Sequence, residues 1–322
     1  MKHNLDFAII ADPIGSFDTR SETTFFLLRE ICRRGHTAWM MEPSALAATP
    51  DGLSARARRV AVFRKGGKFS WKILEEKTLA LERLDSIFVR KDPPVDLRYL
   101  QHLSLLQLLE RKAPSILWIN SPTGILSANE KIYPMLFEGG SPPTVVSCER
   151  RTLFSFLQRH RKVVVKPLGG SGGRGIFLLN RTDRDAASLL ESATENFSRY
   201  AILQKFIPES RKGDKRILLL RGDPIGAFLR KPSRADFRGN LHSGARAVRS
   251  TITSHERRVL SKIKPRLLAD GLFFVGIDFI GRYVTEINTT SPMGIGEINR
   301  LYGTRVEQKI VSWIESRVSR FR

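Results

Sequence analysis

Short apolar runs alternate with longer amphipathic stretches in the first third of the chain. Asp6 to Ala11 and Thr37 to Met41 have the pattern of strands, and Ser21 to Arg34 that of a helix. The cycle is repeated at Ser86 to Arg90, Asp96 to Lys112 and Ser115 to Ile119. This alternation predicts an α/β fold with a largely parallel sheet, whose functional residues gather beyond the strand ends. Two such strand ends, at 12–15 and 90–94, carry loops that contain Pro and Asp. These loops are either plain turns or part of a functional site.

The pattern changes after a cluster of turn formers at 120–124, which predicts a domain boundary. Two strands within Lys162 to Asn180 enclose a glycine-rich loop, and a polar helix follows at Arg184 to Asn196. Farther along, the turn formers at 221–224 predict a hairpin. The polar, aperiodic stretch Lys231 to Thr253 predicts a mobile functional loop.

Two helices flank a final hairpin near the C-terminus. The first is predicted from Ser254, as its N-cap, to Asp270, with Gly271 as its stop. The second is predicted from Arg305 to Val318. The final hairpin lies between them.

That hairpin places three oxygen-bearing side chains on its other face. Apolar residues alternate with others up to Phe279, so Asp278 points away from them, and Glu286 and Asn288 are two residues apart. A three-residue turn at 281–283 would set Asp278 opposite Glu286, and we predict that turn. Adjacent carboxylates repel unless a cation lies between them, and these oxygen ligands favour Mg²⁺. A solvated acidic face is the alternative.

The segment from Gly169 to Gly175 has five glycines in seven positions, which lets backbone N–H groups surround an anion such as phosphate. It contains a formal G-x-G-x-x-G, but a strand-like run at 176–179 follows where a dinucleotide fingerprint needs a helix. The Gly-Lys-Ser/Thr ending of a P-loop is also missing. A glycine flap over a nucleotide is favoured, with a plain hairpin tip as the alternative.

Two lysines lie near this flap in the predicted structure. Lys166 ends the strand Val163 to Val165, and Lys131 lies at a predicted helix start. A lone lysine is usually a solvated charge, but one at a strand end beside a glycine flap suits a nucleotide phosphate.

Composition narrows the function classes. The chain has 322 residues, enough for two or three domains around a cleft, and its 54 Lys and Arg against 32 Asp and Glu give a net charge of +22. The basic residues are scattered and form no tail or nucleic-acid-binding motif, so a solvated basic surface is favoured over nucleic-acid binding.

The sequence also argues against a membrane-spanning segment, a disulfide framework and a cysteine metal site. Its apolar runs are far shorter than the roughly 20 residues of a membrane span, and its first residues lack a secretory pattern. Cys32 and Cys148 lie far apart without metal-binding spacing. We expect a cytoplasmic protein without a membrane partner.

Eight segments occur in a fixed order along nearly the whole chain. They are Asp12-Pro13-Ile14, Arg90-Lys91-Asp92-Pro93-Pro94, Asn129-Glu130-Lys131, Lys166-Pro167-Leu168, Gly213-Asp214-Lys215-Arg216, Arg238-Gly239-Asn240-Leu241, Val275-Gly276-Ile277-Asp278, and Thr285-Glu286-Ile287-Asn288 with Thr290-Ser291-Pro292. In these segments the chain resembles the prokaryotic-type glutathione synthetases of the ATP-grasp superfamily.

The resemblance implies an ATP-grasp fold in three parts. These are an N-terminal α/β substrate-binding domain at 1–121, a central lid at 122–202, and a C-terminal α+β catalytic core at 203–322, with ATP between the last two. It also implies a homo-oligomer, either a dimer or a tetramer.

The resemblance further assigns roles to individual residues. It implies ATP contacts from Lys131, Lys166, Gly170, Ser171, Gly172, Gly173, Gln204, Lys205, Phe206, Ile207, Asp214, Lys215, Arg216 and Asn240. It implies substrate contacts from Asp12, Arg90, Asp92, Ser291 and Pro292, and catalytic roles for Arg230, Arg238 and Arg246. Asp278, Glu286 and Asn288 would bind Mg²⁺, with Mn²⁺ as the alternative ion.

The implied reaction joins γ-glutamylcysteine to glycine with ATP, through an acyl phosphate. The chain departs from the family pattern at Ala245, where the family has glycine, and at Met293, where it has threonine. Both positions lie near the implied acceptor end. Two alternatives therefore stay open: an ATP-grasp peptide ligase with another acceptor amine, and a weakly catalytic homologue that binds anions or nucleic acid.

Overall fold

The computed structural model describes residues 4–170, 172–232 and 244–319, whose strands form three sheets. Helices cover or flank these sheets, and the predicted helices at 21–34, 96–112, 184–196, 254–270 and 305–318 are all present with ends within three residues of the prediction. Across the described part of the chain, no helix is both long enough and apolar enough to span a membrane.

The N-terminal sheet follows the predicted alternation only in part. Its strands and helices are β1 Asp6–Ala11, α1 Thr23–Arg33, β2 Thr37–Met41, β3 Leu46–Thr49, β4 Gly52–Lys65, β5 Lys68–Ala80, β6 Ser86–Arg90, α2 Leu97–Lys112 and β7 Leu117–Ile119. β1 pairs in parallel with β2 and β6, and β6 with β7, as predicted. The prediction of a largely parallel sheet is wrong for the other edge, where β3, β4 and β5 pair antiparallel.

The antiparallel edge is dominated by the long hairpin of β4 and β5. Its first strand has the two-residue period of a half-buried strand, because Leu53, Ala55 and Ala57 are buried while Ser54 and Arg56 are not. This hairpin extends the sheet on the side away from β6 and β7.

The middle sheet has its own small core. Its elements are β8 Thr144–Ser147, α4 Arg150–His160, β9 Lys162–Pro167, β10 Phe177–Asn180, α5 Ala186–Ala193 and β11 Ala201–Lys205. The short helix α3 Pro122–Ser127 precedes them and buries Ile125 in the core of the N-terminal sheet. β9 and β10 pair antiparallel on either side of the glycine segment, as predicted. β11 continues to Lys205, past the boundary expected at 202, and the domain boundaries stay a prediction.

The C-terminal sheet carries most of the polar residues singled out in the sequence. Its elements are β12 Asp214–Leu220, β13 Asp223–Lys231, β14 Arg246–Arg249, α6 Ser254–Ala269, β15 Phe274–Ile280, β16 Tyr283–Asn288, α7 Ile295–Tyr302 and α8 Val306–Val318. The strand order is β14-β13-β12-β15-β16. Ile217 and Leu219 belong to the same apolar cluster as Ala8 and Ile10, so the first and last sheets share one core.

The cap of α6 differs from the sequence prediction. Thr253, not Ser254, is the N-cap, because the Thr253 side chain accepts a hydrogen bond from the Glu256 N–H and the Glu256 carboxylate accepts one from the Thr253 N–H. This reciprocal capping box satisfies two backbone donors that a serine one residue later would leave open.

Asn120 ties the N-terminal sheet to the C-terminal sheet. Its buried amide Nδ2 donates to the carbonyl oxygens of Phe274 (2.7 Å) and Thr289 (2.8 Å), and its Oδ1 accepts from the Phe274 N–H (2.7 Å). The side chain thus replaces a strand neighbour at the start of β15 and just after β16.

Replacing Asn120 with alanine should lower the free energy of unfolding by about 3 kcal/mol or more, because three buried backbone groups lose their partner. Urea unfolding of the variant and of Gln101→Ala, which shortens an exposed amide in α2, measures the difference. A loss for Asn120→Ala no larger than that for Gln101→Ala would contradict this role.

Candidate functional site

A cleft of about 920 Å³ lies between the middle sheet and the C-terminal sheet. Most residues predicted to be functional line it, although they come from widely separated parts of the sequence. They are Asp92, Lys131, Lys166, Gly170, Gly172, Gly173, Gln204, Lys205, Phe206, Ile207, Asp214, Arg216, Arg230, Asp278, Glu286, Asn288 and Ser291.

The glycine segment forms one wall of the cleft. Gly172, Gly173 and Gly175 have φ values of 67°, 74° and 70°, which residues with a side chain rarely adopt. The Lys131 ammonium donates to the carbonyl oxygens of Leu168 and Gly170, so it holds the entry to this segment. Lys131 lies in a turn before a short 3₁₀ helix, so the predicted helix start at this position is wrong.

Lys166 enters the cleft from the end of β9. Its Nζ donates to Gln204 Oε1 (2.9 Å), and Gln204 Nε2 in turn donates to Thr144 Oγ1 (2.9 Å). Burial lowers the pKa of Lys166, while the charge of Glu286 opposes that effect. The ammonium is therefore oriented but incompletely neutralised, which suits a negatively charged ligand.

The segment after β11 forms a largely apolar wall beside these cations. Phe206 and Ile207 line the cleft together with Gln204 and Lys205. The Lys162 ammonium lies 4.6 Å from the centre of the Phe206 ring and fixes that ring against β9. A flat apolar surface next to phosphate-binding cations suits a nucleotide base.

Strands β15 and β16 bring Asp278 opposite Glu286, as predicted, but by a different route. The strands are joined by the two-residue turn 281–282, so the predicted three-residue turn is wrong. Phe279 pairs with Val284 whereas Asp278 pairs with Glu286, which leaves one extra residue, Thr285, in β16. This bulge restores the register that the short turn would have shifted.

Asp278 lies between two arginines. Its Oδ1 and Oδ2 accept from Arg216 Nε (2.5 Å) and Nη2 (2.8 Å), and Arg230 Nη2 lies 2.8 Å from Oδ2. Arg230 also donates to Asp214 Oδ2 at 2.6 Å. Burial opposes ionisation of Asp278, but the arginine charges outweigh it and hold the pKa of Asp278 below its usual range. The four side chains form a buried network of alternating charge.

Glu286 lies beside this network in a less compensated setting. Burial raises the pKa of Glu286, and the charge of Asp278 raises it further against the opposing charge of Lys131. Asn288 Nδ2 donates to Asp278 Oδ2 at 3.3 Å, so the amide shares their face. No group of three or more His, Cys, Asp and Glu with metal-binding geometry occurs in the described ranges. In this set of two carboxylates and one amide, arginines contact Asp278 directly while lysine charges act on Glu286 from farther away, an arrangement that fits a hard divalent cation.

Glu130 is a site residue that the sequence analysis did not single out. Its Oε1 accepts from the N–H groups of Thr289 (2.8 Å) and Thr290 (3.0 Å) and from Thr290 Oγ1 (2.9 Å). Its carbonyl oxygen also accepts from the Ile287 N–H. Glu130 therefore fixes the loop after β16, and its place directly before Lys131 was its signal in the sequence.

Two residues predicted to bind ATP or act in catalysis lie outside the cleft. Lys215 points to the opposite face of β12 from its neighbours and pairs with Glu256 at 2.7 Å, as strand alternation requires. Arg246 is exposed in β14 and does not line the cleft.

Three residues predicted to bind substrate, Asp12, Arg90 and Pro292, are likewise not among the residues that line the cleft. Arg90 is 2% exposed, and it donates to Thr24 Oγ1 and to the carbonyl oxygen of Pro292, so it supports the loop after β16 from behind. Asp12 pairs with Lys91 at 2.7 Å and borders a separate cavity of about 90 Å³. The predicted residues Ser171, Arg238 and Asn240 lie outside the described residues, as do positions 233–243 of the predicted loop at 231–253. The described remainder of that stretch includes β14, so the prediction of a continuous loop is wrong there.

Comparison with protein families gives two matches that together span most of the chain. Residues 5–125 match the N-terminal domain of prokaryotic glutathione synthetase, and residues 130–303 match its ATP-grasp domain.

Individual proteins agree with these matches. The chain is 41% identical to the glutathione synthetase of Synechocystis sp. over 97% of this chain and 99% of that protein. It is 33% identical to the glutathione synthetase of Coxiella burnetii over 98% of this chain and 97% of that protein. D-cycloserine synthetase DcsG, at 14% identity, shares its fold with a TM-score of 0.65 over 96% of this chain and 99% of that one. The ATP-grasp ligase PsnB, solved with a minimal precursor, Mg and ADP, is also 14% identical. Its TM-score is 0.61 over 98% of this chain and 100% of that one.

If Lys166 contacts a nucleotide phosphate, Lys166→Met should weaken binding of ATP by at least about tenfold, because a charge-assisted contact would be lost. Its free energy of unfolding should fall by less than about 1 kcal/mol, since Lys166 forms a hydrogen bond but no close ion pair with the described residues. Calorimetric titration and urea unfolding measure the two effects. Lys262→Met, which changes an exposed lysine of α6 away from the cleft, is the control; equal nucleotide affinity in both variants would contradict the assignment.

Proposed function

This chain belongs to the prokaryotic glutathione synthetase family, and we propose that its cleft joins the cysteinyl carboxylate of γ-glutamylcysteine to the amino group of glycine. The protein is an ATP-dependent ligase of glutathione synthesis with an ATP-grasp fold. The observation that supports the proposed arrangement most strongly is the pairing of Asp278 with Glu286 in the same cleft as Lys166 and the glycine segment.

In this proposal the nucleotide lies between the middle and C-terminal sheets. Phe206 and Ile207 hold the base, and Lys131 and Lys166 contact the phosphates. The glycine segment covers the phosphates with its N–H groups. These roles are supported by the contacts of both lysines at the flap and by the apolar wall beside them.

Asp278, Glu286 and Asn288 would hold the divalent cation that ATP-grasp ligases use, and we propose Mg²⁺, with Mn²⁺ as a substitute. A bound divalent cation neutralises phosphate charge and polarises the phosphoryl group that is transferred. The Asp278 carboxylate oxygens already contact Arg216 and Arg230, so Asp278 would bind the cation while it keeps contact with these arginines. Both arginines would then lie beside the phosphate that the cation binds.

The chain's own groups then suit an acyl phosphate route. A carboxylate resists attack by an amine because its leaving group would be oxide, and phosphorylation supplies a better one. Arg216 and Arg230 stabilise the charge on the phosphoryl group during transfer and on the tetrahedral oxyanion that follows. The glycine segment excludes water, which would hydrolyse the acyl phosphate.

Assembly and location complete the proposal. We propose a homo-oligomer, a dimer or tetramer, and the β4–β5 hairpin supports it by exposing Ile73 (45%), Leu74 (46%) and Phe63 (37%) beside an edge strand. A cytoplasmic location is supported by the use of ATP as a substrate.

Purified protein with Mg·ATP and γ-glutamylcysteine should release ADP at a rate that depends on added glycine, because turnover requires an amine to attack the acyl phosphate. A coupled ADP assay with glycine omitted, supplied or replaced by other amino acids checks this. Turnover with a different amino acid alone would show another acceptor, whereas release of no ADP with any amine would contradict the ligase reaction.

Glu286→Gln should reduce turnover by at least about 100-fold and raise the Mg²⁺ concentration needed for half-maximal rate, since a neutral amide binds the ion more weakly. Glu138→Gln changes an exposed glutamate away from the cleft and is the control. An unchanged Mg²⁺ dependence in Glu286→Gln would show that the ion binds elsewhere.

A further inference from the structure

A second cavity, of about 390 Å³, lies at the end of β12 that points away from the cleft. Its lining residues are Arg221, Leu268, Phe273, Trp313, Ser316 and Arg317. Arg216, which lines the cleft, is five residues before Arg221, so the two sites lie roughly 16 Å apart along the strand. A volume of this size is typical of sites for small molecules. The cavity is therefore a candidate binding site separate from the proposed active site.

The floor of this cavity is aromatic. The rings of Phe273 and Trp313 pack against each other, with their centres 5.2 Å apart and their planes tilted by 59°. Leu268, near the end of α6, adds an aliphatic side. Phe273 and Trp313 are only partly buried, so some of their surface faces the cavity. Such a surface favours a planar ring, because aromatic rings pack well on one another.

Two arginines give the cavity a positive rim. The guanidinium carbon of Arg221 lies 5.9 Å from the centre of the Trp313 ring. Arg317 is four residues after Trp313 in α8 and therefore shares its helix face. Among the described residues that line the cavity, none is acidic, and Asp223, two residues after Arg221, pairs instead with Lys264 at 2.6 Å. Guanidinium groups bind phosphate through paired N–H donors, so the rim favours a ligand that carries a phosphate.

The turn that carries Arg221 indicates that its side chain has a use. Arg221 and Gly222 join β12 to β13 and have φ values of 55° and 77°, the positive values of a tight hairpin turn. Asn, Asp or Gly is usual at the first of these positions, because a larger side chain is strained there. The Arg221 N–H donates to the Phe273 carbonyl oxygen at 2.7 Å. The turn thus holds an arginine, against local preference, beside the aromatic floor.

We propose that this cavity binds a planar aromatic ring that carries a phosphate, such as a nucleoside monophosphate. The ring packs on Phe273 and Trp313, and Arg221 and Arg317 bind the phosphate. The proposal does not depend on the reaction proposed for the cleft. It gives the protein a second ligand site, at the opposite end of the strand that carries Arg216.

Calorimetric titration with AMP, in the presence of Mg²⁺ and a saturating non-hydrolysable ATP analogue, tests the cavity while the cleft is filled. AMP should bind at least about tenfold more tightly than adenosine or inorganic phosphate, because each of these lacks one of the two recognised groups. Phenyl phosphate is titrated in parallel. Its binding with the affinity of AMP would show that a ring and a phosphate suffice, whereas weaker binding would identify the ligand as a nucleotide.

Arg221→Gln should weaken AMP binding by at least about tenfold, because one charge-assisted contact is lost. AMP should also quench part of the tryptophan fluorescence, and Trp313→Phe should lose that quenching. Arg258→Gln, which changes an exposed arginine of α6 outside both cavities, is the control, and unfolding curves verify that each variant is folded. Absence of binding by both AMP and phenyl phosphate, equal affinity for AMP and adenosine, or unchanged AMP affinity in Arg221→Gln would each overturn the assignment.

Discussion

The buried charge network around Asp278 is the constraint on which the rest of the cleft depends. Two carboxylates that face each other across β15 and β16 would repel in a poorly solvated site. Arg216 and Arg230 satisfy Asp278 directly, while Glu286 receives only the more distant charges of the lysines. The network is thus stable without a ligand, and Glu286 lines the cleft beside it, where a divalent cation would bind.

The three sheets contribute different parts of this arrangement. The C-terminal sheet supplies the network, the middle sheet supplies Lys166 and the glycine segment, and the N-terminal sheet fixes the loop between β16 and α7. Asn120 and Arg90 perform that fixing from the N-terminal side, and Glu130 does so from the turn before Lys131. Hydrogen bonds from these three side chains to the backbone therefore determine where the loop after β16 lies.

Strand parity and glycine content predicted the cleft well, since both follow from short-range backbone geometry. The period of two placed Asp278 and Glu286 on one face, but the bulge at Thr285 arises from packing and was not visible in the sequence. The same period in β12 places Lys215 on the opposite face from Asp214 and Arg216. The family resemblance had instead grouped all three residues as ATP contacts. The inward position of Arg90 was not visible in the sequence either, because it comes from tertiary burial.

The most direct test of this account is the position of the metal ion in a crystal grown with Mn²⁺ and a non-hydrolysable ATP analogue. The account predicts an anomalous peak within coordination distance of Asp278, Glu286 and Asn288, next to phosphates contacted by Lys131 and Lys166. A peak at any other site, with Asp278 still held by Arg216 and Arg230 and free of metal beside a bound nucleotide, would contradict it.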